Sequence, residues 1–83
     1  MDYKHLATAL AHSLQAVDAA YKEEMRELRA IFQDAKAEAE KDEPDSVKLK
    51  ALLADANEAA RTFSILDPAW QVVQRVSKML GFL

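Results

Sequence analysis

From residue 3 to residue 41 the chain holds neither proline nor glycine, and an apolar side chain returns at every third or fourth position. Leu6, Leu10, Leu14, Val17, Tyr21, Met25, Leu28, Phe32, Ala35 and Ala39 succeed one another at steps of 4, 4, 3, 4, 4, 3, 4, 3 and 4. That is the spacing of one face of an α-helix. It predicts a single amphipathic helix over about 3–41, roughly 57 Å long at ~1.5 Å rise per residue. A compact domain of 83 residues has a radius of gyration of only about 12 Å. A rod of that length does not fit such a ball. The spacing therefore predicts a long hairpin, or a stripe shared with a second copy or another protein.

Two punctuation marks divide the rest of the chain. Lys41-Asp42-Glu43-Pro44-Asp45-Ser46 stops the first helix, because proline cannot continue a helix interior. Either Asp42 or Asp45 can cap the second helix. Leu49, Leu52, Leu53, Ala56, Ala60 and Phe63 predict that helix over about 45–63. Asp67-Pro68 is a start signal, with Asp67 as N-cap and Pro68 as the first helical residue. Ala69, Val72, Val73, Val76, Leu80 and Leu83 form the stripe of a third helix over about 68–80, closed by Gly81, the one glycine. Together the two later helices match the length of the first. The predicted fold is all-α: one domain over 1–83, a long helical hairpin with a broken second arm. A three-helix bundle is the alternative if the first helix bends. Asp18 and Lys22 are spaced for an i,i+4 ion pair.

Composition closes several doors. With 51% hydrophobic and 30% charged residues, one glycine and two prolines, the chain reads as helical and folded. No cysteine is present, so disulfides and thiolate metal sites are excluded. The net charge of −3 argues against non-specific nucleic-acid binding. No targeting signal and no apolar run of membrane-spanning length is visible, which points to the cytoplasm. The acidic run over 22–45 reads as the solvated tip of the hairpin.

No constellation of residues carries chemistry. His5 and His12 share a helix face but sit two turns, about 10 Å, apart, too far to hold one metal ion. The serines lack a nucleophile context, and no glycine-rich loop exists. No catalytic residue, cofactor or metal is expected. Residues 56–80 resemble a degenerate helix-turn-helix in spacing alone, with Gln71, Gln74, Arg75 and Lys78 as base-facing candidates. The C-terminal amphipathic helix, with Trp70 and Phe82, is the length and type that lies on membrane surfaces.

Apolar surface is the feature that remains. Around the third helix the apolar side chains occupy a wider sector than one neighbouring helix covers, and uncovered apolar surface marks an interaction site. The sequence therefore predicts a homodimer joined through Leu6, Leu10, Leu14, Val73, Val76 and Leu80, with Trp70 and Phe82 as anchors in a partner groove. The expected role is a small non-enzymatic regulator or adaptor: an inhibitor, an anti-activator or a chaperone-like protein. The compositional style is that of small bacterial and phage regulators. DNA binding and membrane-surface binding are the alternatives.

Overall fold

A computed structural model describes residues 3–82. Every regular element among them is helical: α1 (Tyr3–Ala19), a 3-10 turn (Glu23–Met25), α2 (Arg26–Ala39), α3 (Ser46–Ala60), a second 3-10 turn (Ser64–Leu66) and α4 (Asp67–Met79). The single helix expected over 3–41 is two helices. The chain leaves the helix after Ala19, and Lys22 is extended at φ −131° and ψ 155°. It re-enters through a turn in which the Met25 N–H donates to the Lys22 carbonyl at 2.8 Å. No residue here breaks helices. What the break achieves is burial: Val17 on one side and Met25 and Leu28 on the other all reach the same core. Glu23 and Glu24 open the new helical stretch, where carboxylates suit the positive end of the helix dipole. The expected Asp18–Lys22 pair gives way to one across the corner, where Arg29 Nε donates to Asp18 at 2.7 Å.

The other boundaries lie closer to their signals. Asp45, not Asp42, caps α3 and accepts the N–H groups of Val47 and Lys48 at 3.0 and 3.2 Å. Residues 61–63 fall outside α3, so the helix is shorter than 45–63. Asp67 lies inside the first turn of α4, beside Pro68, while Leu66 takes the capping position. Its carboxylate therefore serves the dipole and not a cap. Gly81 adopts φ +82°, a conformation that L side chains rarely take. The N–H groups of Gly81 and Phe82 then reach back to the Lys78 and Ser77 carbonyls at 3.1 and 2.8 Å, the Schellman closure. This turn brings the Phe82 ring to within 6.1 Å of the Tyr3 ring.

The four helices run alternately up and down. α1 packs on α2 and α4, and α2 packs on α3, while α3 and α4 touch little beyond their joint. The long hairpin with a broken second arm is thus replaced by a short four-helix bundle of 33 × 19 × 18 Å, with a Cα radius of gyration of 11.5 Å. The accessible surface is 5151 Å². Surface scaling gives roughly 5,000 Å² for a folded monomer of this mass. One chain therefore hides as much of itself as a self-sufficient domain does.

Two polar features sit inside this bundle. Glu38 is only 2% exposed, yet it belongs to the acidic run expected to be solvated. Its carboxylate accepts the Asp45 N–H at 3.0 Å and pairs with the ammonium groups of Lys41 and Lys48 at 2.9 and 3.4 Å. The backbone hydrogen bond, then the Lys41 hydrogen bond, pull its pKa down to about 2. The last turn of α2 is thereby tied to the cap of α3. Ser13 in α1 and Ser77 in α4 are the opposite case: both hydroxyls are buried without a hydrogen-bond partner.

Because the folded pKa of Glu38 lies below its ordinary value of 4.5, the tie stabilises fully above that value and fades as pH falls toward about 2. Glu38→Gln is expected to lower the urea midpoint near pH 6 and to match the parent near pH 2. An equal deficit at both pH values would remove the carboxylate's charge from the explanation. Ser77→Ala is expected to raise stability by about 1 kcal/mol, since it removes an unsatisfied buried hydroxyl and improves helix propensity. A lower melting temperature would reveal a partner for the hydroxyl.

Candidate interaction surface

α4 carries two apolar stripes that differ by one residue. Leu66, Trp70, Val73, Ser77 and Leu80 form one, and Ile65, Ala69, Val72, Val76 and Met79 form the other. A one-residue offset turns a stripe by about 100° around the helix. The bundle takes the first as core: Leu66, Trp70, Val73 and Ser77 are buried. The second is left on the outside. Ile65 is 64% exposed, Val72 40% and Met79 76%, while Ala69 and Val76 are half-buried. Its steps of 4, 3, 4 and 3 are those of a helix-pairing seam.

Trp70 explains why the first stripe wins. Its ring stacks on Phe32 of α2 at 5.4 Å between centroids. Its indole N–H donates to Asn57 Oδ1 at 3.1 Å, and the Gln74 amide donates to the same oxygen at 2.8 Å. These bonds bridge α3 and α4 where their backbones stand apart. Turned outward, Trp70 would lose both the stacking and this acceptor for its N–H.

The open stripe lies on the α1 side of α4, since Trp70 and Gln74 face α3. The Tyr3–Phe82 contact sets the antiparallel register of α1 and α4 at one end. At the other end, Ala20 and Ile65 line one shallow cleft with Met25 and Phe63. On α1, His5 and His12 are exposed.

The expected interface residues divide accordingly. Leu6, Leu10, Trp70, Val73 and Phe82 are buried within this one chain, and Leu14, Val76 and Leu80 are half-buried against its core. Of that set only Val76 belongs to the open stripe. Ile65, Val72 and Met79, the most exposed members, were not in it. Their signal is the one-residue offset, which shows that α4 has two faces to cover. Of the base-facing candidates, Gln74 is committed to Asn57, while Gln71, Arg75 and Lys78 are exposed. Among the described residues no three His, Cys, Asp or Glu side chains gather as a metal site. No helix among them is long and apolar enough to cross a membrane. A concavity of about 850 Å³ opens between Tyr3, Ala7 and Thr8 on α1 and residues 39–44.

No protein-family model, curated protein or solved structure matches this chain.

The two stripes differ in what substitution should do. Trp70→Ala is expected to cost about 3–5 kcal/mol, a large share of what holds a domain this small together. Val72→Asp and Met79→Asp should each stay within about 0.5 kcal/mol of the parent. Thermal unfolding monitored by circular dichroism checks both. A Val72→Asp chain as damaged as Trp70→Ala would place the second stripe in the core.

Proposed function

We propose that this protein is a small non-enzymatic adaptor or regulator that binds another protein through the outer α1/α4 face. One observation carries the reading. Ile65, Val72 and Met79 stay in solvent beside a stripe whose Leu66, Trp70, Val73 and Ser77 are buried. Large apolar side chains scattered singly need no explanation, but a row at helix-pairing spacing is the form that helix-in-groove recognition uses. The role belongs with inhibitors, anti-activators and chaperone-like proteins, whose work is contact.

The homodimer expected from the sequence has lost its main argument. Leu6, Leu10 and Val73, which were to join two copies, have no exposed surface. Interfacial helices on membranes place tryptophan and phenylalanine at the lipid boundary. Here Trp70 and Phe82 turn inward, which weakens the membrane reading. The engagement of Gln74 by Asn57 weakens the DNA reading in the same way.

Site-specific photocrosslinking in the producing cell tests the proposal. A benzophenone side chain at position 72 or 79 is expected to give a discrete protein adduct, lost on Ile65→Asp, an exposed site. The same group at position 34, on exposed α2 surface, should give none. Adducts of twice the chain's mass would identify a second copy as the partner. No adduct at 72 or 79, or the same adducts from 34, would overturn the reading.

A further inference from the structure

We infer that the outer α1/α4 face takes one amphipathic helix of about 15 residues with acidic flanks; this rests on the protein-binding reading above. The length comes from the stripe. Ile65 to Met79 spans roughly 21 Å at ~1.5 Å per residue, four turns of a partner helix. The mode comes from its spacing, since alternating steps of four and three let two helices stay in register along a seam.

The flanks come from charge. Neither residues 3–17 nor residues 68–82 contain an aspartate or glutamate. Arg75 lies beside Val72 and Met79 on the rim of the stripe, and Lys78 lies about 60° further round, on the side away from α1. Neither makes an ion pair among the described residues. Elsewhere the cations are largely answered in place: Arg26 by Glu23, Arg29 by Asp18, Lys36 by Glu40, and Lys41 and Lys48 by Glu38. The outer edge of the apolar face therefore carries one cation open to carboxylates, Arg75, with Lys78 behind it on the same side of α4. Charges flanking a helix seam select the partner more than they tighten it.

A second copy does not meet this description. Two α4 stripes pressed together would set one Arg75 rim against the other. Helices α2 and α3 expose one large apolar side chain, Val47, among the described residues. They offer no greasy seam to match.

Two-dimensional amide spectra of the full isotope-labelled chain read the result. The probes are two synthetic 15-residue helical peptides with identical leucine seams, one flanked by glutamate and one by lysine, and phosphatidylglycerol vesicles. Shifts are expected at residues 65–79, with the glutamate peptide binding about tenfold more tightly at low salt and the gap closing near 0.5 M salt. The double variant Arg75→Glu, Lys78→Glu, with an unchanged circular-dichroism spectrum, should reverse the preference. Equal binding of both peptides at this face would overturn the charge assignment and leave the docking reading standing. Silence of both peptides, with crosslinking at position 72 intact, would show that the partner is not a helix of this kind. Shifts with vesicles alone would overturn this inference and the protein-binding reading together.

Discussion

Residues 20–25 leave the helix although every one of them is compatible with it, and the rest of the bundle depends on that departure. Ending one helix and starting another leaves up to about four N–H and four C=O groups without helical partners. Most face water here or close 3-10 bonds, so the net cost is of order 1 kcal/mol for each bond lost. Set against it are Val17, Met25 and Leu28, each buried to within 1% of completeness. Full burial of such side chains is worth about 1.5–3 kcal/mol apiece. On a straight rod those groups would have faced a single returning arm. With the chain folded at the corner, α1 packs on both α2 and α4, and α2 on α3 as well. Burial outweighs helical continuity, and α2 is turned back along α1.

That competition also explains how much of the fold was legible in the sequence. The spacing of apolar residues marked 3–41, 45–63 and 68–80 as helical and picked out much of the core: Leu6, Leu10, Phe32, Leu49, Leu53 and Val73 are all buried. The stop at Pro44, the start at Asp67-Pro68 and the end at Gly81 were readable because each is a local signal. Local propensity has nothing to say about the corner after Ala19, because the reason for it lies in side chains far along the chain. The same limit hid the candidate face. Two stripes one residue apart on α4 have nearly equal apolar character. Which of them turns inward depends on Trp70 finding Phe32 and Asn57, a fact about α2 and α3.

Buried polar groups fix the arrangement more sharply than the apolar ones. Leucines and alanines can slide by a turn at small loss, and a four-helix bundle with short connections has close alternatives. Trp70 and Gln74 sharing the Asn57 oxygen permit one register of α4 on α3. Glu38 permits one exit path for the chain after α2, since its carboxylate needs the Asp45 N–H and two lysines at once. A misregistered bundle would bury these groups without partners, which is costly. They sit at opposite ends of α3, so this helix is held at both ends while its middle packs on α2.

Burial and exposure thereby fall to different residues of the same short helix. Trp70 and Val73 hold α4 to the bundle, and Val72 and Met79 are exposed, where change has little effect on folding. The division extends to charge. Residues 20–60 carry eleven acidic and seven basic residues, a surplus of four negative charges, whereas the whole chain is at −3. The remainder, with α1 and α4, is therefore +1. The negative surplus sits in the connections at 20–25 and 40–45, since α2 and α3 are each neutral. The bundle buries the Trp70 stripe to stand alone and leaves Val72 and Met79 in solvent.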